Sequence, residues 1–224
     1  MPTLCAAVAT LFDAPVAVAG TDPRAPQPRP HPQEAAHLGR AIAKRQQEFA
    51  AGRAMARQAM ADLTGVSHSQ PILADEDRAP IWPAGWQGSI SHKSTLCLAV
   101  VGQSGAQLGL DVEEDTPLAQ DLIPTICSGT EIAQFAGPEQ GAWAKLIFSA
   151  KEAAYKAQYP LTREVFGFHR FDVFVDVSMG MFSAAFTADT GIFEEGDMLM
   201  GRFLKAEGHL VTGVTIGQSV IAGS

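Results

Sequence analysis

Gly109-Leu110-Asp111-Val112-Glu113 and, further on, Phe148-Ser149-Ala150-Lys151-Glu152-Ala153-Ala154-Tyr155-Lys156 are the stretches from which the rest of the chain is read. The first has a period of two, which predicts a strand and sends Asp111 and Glu113 to one side. The second has helical spacing. Trp143, Leu146, Ile147, Ala150 and Ala154 fall on one face, and Glu152 and Lys156, four apart, share a face as well. Three carboxylates and an ammonium on two facing elements suit a hard divalent cation such as Mg2+ held against a phosphate. Two plainer readings stand beside this one. Asp111 and Glu113 also fit a solvated strand end, because Glu114 and Asp115 continue the acidic run. Glu152 and Lys156 also fit an ordinary surface ion pair worth about 0.3 kcal/mol. Ser149 to Glu152 matches a helix-opening capping box too, but the apolar stripe starting at Trp143 puts Ser149 inside a helix.

On the C-terminal side the period changes to two from Phe168, with Phe171, Val173, Val175 and Val177 alternating with Asp172, Phe174 and Asp176. Gly180 turns the chain into a strand over 181–186, and further strands are expected at 198–205 and 209–216. Ser128-Gly129-Thr130-Glu131 reads as a capping box, and Pro138 as the start of the long helix. On the N-terminal side, residues 102–107 form a turn joining strands 96–101 and 108–113 into an expected hairpin. Residues 71–86 read mostly as loop. Helical periodicity over 37–63 ends at Gly65, with Gly52 a candidate break and Ile42, Phe49, Met55, Ala59 and Met60 on the buried side. Pro32 suits a first helical turn, residues 20–32 a Pro- and Arg-rich loop, and residues 3–12 a short strand.

The net charge of −8 argues against a general nucleic-acid binder. That charge is uneven: residues 1–60 are net positive by three and the remainder net negative by eleven, which suits a small polyanionic ligand. Cys5, Cys97 and Cys127 are odd in number and far apart, neither a disulfide framework nor a zinc spacing. The apolar N-terminus lacks a basic leader region and is interrupted by Asp13 and Pro15, against a signal peptide. No stretch is long enough to cross a bilayer, and a cytoplasmic enzyme is expected. There is no phosphate-binding P-loop, no dinucleotide glycine fingerprint and no Gly-x-Ser-x-Gly elbow that would make Ser91-His92 a hydrolase pair. Glu34 and His37 have di-iron spacing, but one copy without its partner is weak.

The two opening stretches, in that order, resemble the paired signature of 4'-phosphopantetheinyl transferases, most of all the monomeric surfactin- and enterobactin-synthetase type. Pro80-Ile81-Trp82-Pro83-Ala84-Gly85-Trp86-Gln87-Gly88-Ser89-Ile90-Ser91-His92 is similar to a third block of that group, so the likeness runs over residues 45–160. The resemblance implies an α+β fold of two similar subdomains related by a pseudo-twofold axis, with the active site between them. Residues 1–108 would supply the coenzyme A-binding helices and the Ser-His block. Residues 109–224 would supply the metal site and the second sheet.

The implied reaction moves 4'-phosphopantetheine from coenzyme A to a serine of an apo acyl or peptidyl carrier protein, with Mg2+, releasing 3',5'-ADP. Asp111, Glu113 and Glu152 are the implied metal ligands. Glu152 is the implied base, directly or through a metal-bound water, with Lys156 the competitor and a phosphate contact. Ser91 and His92 are expected on the coenzyme A phosphates, Arg45, Arg53 and Arg57 toward the 3'-phosphate, Arg78 and Pro80 along the adenine, and Lys151 as a further phosphate contact. Surfactin-type members carry lysines ahead of this arginine; here Arg45 stands in for one and Glu48 falls near another. A solvated helix face is the plainer reading of these arginines. The expected partner is an acidic helical carrier of a non-ribosomal peptide, siderophore, polyketide or fatty-acid synthase, met by a monomer. A silent coenzyme A-binding or scaffold protein and a nucleotide phosphohydrolase are the alternatives.

Overall fold

A computed structural model of the chain describes every residue except Arg40, Ala136 and residues 219–224. Helix α1 (Pro2–Ala9) leads to strand β1 (Val16–Thr21), a short helix α2 (Pro32–Ala35) and the long helix α3 (Ala43–Thr64). A ribbon of β2 (Leu73–Ala74) and β3 (Pro80–Ile81) precedes β4 (Gln87–His92) and β5 (Cys97–Gly102). The second half opens with β6 (Gln107–Glu114), continues through short helices α4 (Ile123–Ile126) and α5 (Gly129–Gln134), and reaches the long helix α6 (Gln140–Thr162). It closes with β7 (Phe171–Asp176), β8 (Met181–Phe186), β9 (Met198–Ala206) and β10 (His209–Ile216). The strands order as β1-β5-β4 in one sheet and β6-β10-β9-β8-β7 in another, every pairing antiparallel. Each half is thus one long helix on an antiparallel sheet, the α+β architecture expected.

The cores follow from that layering. Ala56, Ala59 and Met60 of α3 pack on Ala99 and Val101 of β5, with Ile72 and Trp86 closing the edge. Ile147, Ala150, Ala153, Ala154 and Ala157 of α6 pack on Phe171, Val173, Phe182, Ala184 and Val214. Alanine dominates the α6 face because its backbone lies hard against β6. A Cβ at Gly109 would overlap the carbonyl oxygen of Ala153 and sit 2.8 Å from the amide nitrogen of Ala157. The two sheets meet where β4 runs beside β6: Ser89 Oγ accepts from Leu110 N (3.0 Å) and Ser91 Oγ from Val112 N (3.2 Å). Serine hydroxyls close the seam where a strand ladder would otherwise continue.

Several sequence expectations are corrected. The stretch 3–12 is helical over its first part, in α1 (Pro2–Ala9), and not a strand; Leu4, Val8, Leu11 and Phe12 are buried against Leu96, Leu98, Val211 and neighbours, and a short all-apolar run carries no period that separates the two. The hairpin runs between β4 and β5, while β6 crosses into the other sheet and pairs with β10. Gly52 does not break α3; a Cβ there would come within 2.9 Å of Ile90, so it marks close helix–strand contact. The helix begins at Ala43 rather than His37, leaving Ile42 exposed, and α6 begins at Gln140 rather than Pro138. The ends are as expected at Gly65, left-handed at φ 73°, and in the Ser128–Glu131 capping box.

Candidate active site at the seam of the two halves

Asp111 sits at the middle of β6, where β4 and α6 both come close. Its Oδ1 accepts from Lys156 Nζ (2.6 Å) and Ser91 Oγ (2.9 Å), and its Oδ2 from Ser149 Oγ (2.9 Å). The Lys156 ammonium is completed by the Leu110 carbonyl and Ser91 Oγ, each at 3.2 Å. Two residues on, Glu113 is clamped between Lys93 (2.8 Å) and Lys145 (2.9 Å). Asp111 and Glu113 are each 4% exposed, which rules out the solvated strand end. Glu152 lies one turn before Lys156 on α6, and burial raises its carboxyl above the ordinary range; Lys156 opposes that shift while Asp111 and Glu113 add to it. Asp111 and Glu113 thus act electrostatically on Glu152. Among the described residues, however, no group of three His, Cys, Asp or Glu side chains is gathered into a metal-holding set. Lysines, rather than shared coordination, compensate Asp111 and Glu113.

Two clefts open on either side of the β2–β3 turn and share Arg78, Pro80 and Ile90 as their divide. The first, about 490 Å3, lies between α3 and β4 and is lined by Arg45, Glu48, Arg53, Arg78 and His92 among others. The second, about 430 Å3, runs along α6 past Glu152, Tyr155, Lys156, Tyr159 and Arg163. Arg45 Nη1 lies 3.1 Å from His92 Nε2; arginine can only donate, so the imidazole accepts there and keeps its proton on Nδ1, which faces Glu48 at 3.9 Å. Burial lowers the His92 pKa, and Arg45, Lys156 and Lys93 lower it further against the pull of Glu48. Arg53 is nearly buried, donates to the Ile72 and Leu73 carbonyls (2.7 and 3.2 Å) and stacks on Phe49; burial lowers its guanidinium to about 10.

Arg57 and Lys151 lie elsewhere than expected. Arg57 is paired with the fully buried Glu34 at 2.6 Å and does not line the first cleft. Glu34 also caps α2 and accepts from Ile72 N, which gives it a structural role in place of the metal spacing read with His37. The Lys151 ammonium is buried on Glu131 and the Ile126 carbonyl, each at 2.8 Å. Sequence reasoning missed Lys93, Lys145, Ser149, Tyr159 and Arg163. For all but Lys93, which follows β4, the signal was a polar stripe on α6 and its C-cap, since Lys145, Ser149, Glu152, Lys156, Tyr159 and Arg163 recur at alternating spacings of four and three.

Residues 33–102 match the family model described as 4'-phosphopantetheinyl transferase N-terminal domain, and residues 107–195 that of the 4'-phosphopantetheinyl transferase superfamily. The chain is 34% identical to 4'-phosphopantetheinyl transferase Svp of Streptomyces mobaraensis, over 83% of this chain and 78% of that protein. It is 38% identical to 4'-phosphopantetheinyl transferase PptT of Mycobacterium tuberculosis over 74% of each chain. Identity to enterobactin synthase component D of Escherichia coli is 36%, over 57% of this chain and 60% of that one.

Proposed function

We propose a division of labour among the site residues from one premise: this chain belongs to the 4'-phosphopantetheinyl transferase superfamily, enzymes that move the 4'-phosphopantetheine of coenzyme A onto a carrier protein. The first cleft takes the nucleotide end of coenzyme A, with Arg45, Arg53 and His92 facing its phosphates and Arg78 and Pro80 against the adenine. The second cleft takes the phosphopantetheine side and brings the diphosphate to Ser91, Asp111, Glu152 and Lys156. The observation that supports this most is the meeting of Ser91, Asp111 and Lys156 within 3.2 Å of one another, contributed by β4, β6 and α6 at the seam of the two halves. We divide the halves between residues 108 and 109, close to the start of β6, all of which pairs with β10 in the second sheet.

The donor chemistry fits Mg2+. Asp111, Glu113 and Glu152 offer hard carboxylate oxygens, the first two from alternate positions of β6, and Asp111 already holds a cation, the Lys156 ammonium, at 2.6 Å. These three side chains would hold the ion, with Lys156 turning from Asp111 to the substrate phosphates. When bound, Mg2+ neutralises charge on the diphosphate. Glu152, whose burial favours its protonated form, takes the proton of the attacking serine hydroxyl at its carboxylate, and Lys156 balances negative charge on the phosphoryl oxygens. Ser91 and Ser149 hold the Asp111 carboxylate in place. Arg57 and Lys151, committed to Glu34 and Glu131, support the scaffold and leave the phosphates to others.

The acceptor is an apo acyl or peptidyl carrier of a non-ribosomal peptide, siderophore, polyketide or fatty-acid synthase, met by a single cytoplasmic chain that binds no nucleic acid. Among the described residues no helix is long and apolar enough to cross a membrane. Incubation with coenzyme A, Mg2+ and several apo carriers, read by intact mass, tests the activity. One phosphopantetheine gained per carrier supports it; a panel of unmodified carriers favours the catalytically silent alternative. Arg53→Ala is expected to weaken coenzyme A more than dephospho-coenzyme A, and equal losses would contradict the assigned 3'-phosphate contact.

A further inference from the structure

The turn between β2 and β3, which carries Arg78 between the two clefts, is tied to the far end of the catalytic helix by side chains that the reaction itself does not require. The turn closes on itself through Asp75: Arg78 N donates to the Asp75 carbonyl (3.1 Å), Ala79 N to Asp75 Oδ1 (2.8 Å), and Asp75 N to the Ala79 carbonyl (3.0 Å). Arg78 is left-handed at φ 70°, a conformation unfavourable for a residue with a Cβ, so something must hold it there. With Oδ1 used inside the turn, Asp75 Oδ2 points outward and accepts from Arg163 Nη1 (2.9 Å). The Tyr159 hydroxyl lies 2.6 Å from Asp77 Oδ2 and 3.2 Å from Asp75 Oδ2; having one proton, it gives it to Asp77. Arg163 also lies over the Tyr159 ring, 5.4 Å from its centroid.

The other end of this contact is the catalytic helix. Glu152, Lys156, Tyr159 and Arg163 follow one another along a single face of α6, all lining the second cleft. Arg163 is the left-handed C-cap of that helix at φ 58°, its amide bonded to the Tyr159 carbonyl, so the last turn is fixed against the side chains that reach the loop. Asp77 and Arg78 are otherwise exposed, and the two-residue strands flanking the turn pair only with each other. Arg53 holds the base of the ribbon through the Leu73 carbonyl, while Tyr159 and Arg163 of the α6 end hold the turn itself. Burial and the hydrogen bond to Asp77 push the Tyr159 phenol up to about 12, with the hydrogen bond the larger influence, so the donor stays protonated at any working pH.

We propose that Tyr159 and Arg163, gripping Asp77 and Asp75, form a latch by which the helix bearing Glu152 and Lys156 sets the position of Arg78 and Pro80 against coenzyme A. They are positioning residues for the donor, not for the carrier. The inference rests on the reading of the clefts as the coenzyme A site and adds to it a dependence of donor affinity on contacts outside the phosphates.

The test is a double-mutant cycle of Tyr159→Phe and Asp77→Ala in the full chain, reading the Kd of coenzyme A by calorimetry. The KM of an apo carrier is followed in parallel. Each single variant is expected to raise the Kd about fivefold, and the double variant no more than either, with the carrier KM unchanged. Single variants that bind like the native chain, effects that multiply in the double variant, or a carrier KM that rises in step would each overturn the latch. Arg53→Ala, measured alongside, separates the two claims. If it leaves the Kd unchanged while the cycle is coupled, the 3'-phosphate assignment fails and the latch stands.

Discussion

Replacing Gly109 by alanine adds one methyl group at the place where β6 and α6 touch. The new Cβ would overlap the carbonyl oxygen of Ala153 and lie 2.8 Å from the amide nitrogen of Ala157. Both are backbone atoms in the middle of α6, so no side chain can rotate aside, and relief requires β6 and α6 to separate by on the order of 1 Å. Overpacking of this kind costs typically 1–3 kcal/mol, and rigid backbone on one side places Gly109→Ala at about 3 kcal/mol or more. The same displacement moves Asp111 on β6 relative to Glu152 and Lys156 on α6, and a misplacement of about 1 Å lowers turnover on the order of 100-fold. Urea unfolding followed by circular dichroism gives the stability, and carrier modification at saturating coenzyme A gives the rate. Gly129→Ala, where a Cβ meets nothing within 4 Å, is the control and should be neutral or slightly stabilising. A Gly109→Ala protein that loses less than about 1 kcal/mol and keeps its turnover would refute the claim that this contact fixes the site.

Lys151→Ala leaves Glu131 buried without its cation and should cost about 3–5 kcal/mol, with Lys151→Ala/Glu131→Gln recovering part of it; an equally unstable double variant would mean the pair is not what matters. His92, held below its ordinary pKa of 6.5 chiefly by burial, takes up its proton more readily unfolded than folded. Its contribution to stability is therefore complete above that value and declines as pH falls below it, so the melting temperature of His92→Gln should drop less between pH 7 and pH 5 than that of the native chain, by thermal melts at about those two values. Burial raises the Cys97 thiol to about 12 and Cys127 to about 11, so neither should be alkylated by iodoacetamide at neutral pH until the chain is unfolded; rapid labelling of the folded protein, mapped by peptide mass, would contradict the packing.

Where side chains alternate against one packed face, the sequence was legible. The strand at 181–186 coincides with β8, whose residues alternate in burial, and the helix through Glu152 with the middle of α6, because one buried face imposes its period on the chain; 209–216 coincides with β10 although that strand is buried almost throughout. The period fails for elements buried all round. Residues 97–102 are all buried, 108–113 are too, and nothing in their composition says that the first belongs to β1 and β4 and the second to β10. That partner choice is made by residues far away in sequence.

The candidate site divides along similar lines. Asp111, Glu152 and Lys156 were visible as spaced charges, and Ser91 as part of a block. The lysines that clamp Glu113, and the latch between residues 75–77 and the end of α6, were not, since they join side chains separated by 32 to 88 positions or sit beside a motif without belonging to it. Arg57 and Lys151 show the opposite case. Their charge and location resemble phosphate contacts, but each faces a fully buried carboxylate that only the fold reveals.

The claim beneath all of this is that carboxylates from β6 and α6 share one magnesium ion beside the coenzyme A diphosphate. The most direct measurement is calorimetric titration of Mg2+ into the enzyme saturated with coenzyme A, for the native chain, Asp111→Asn and Glu152→Gln. The account predicts one ion per native chain and a loss of that binding in both variants, each still folded by circular dichroism. Mg2+ bound as tightly by either variant as by the native chain would contradict it.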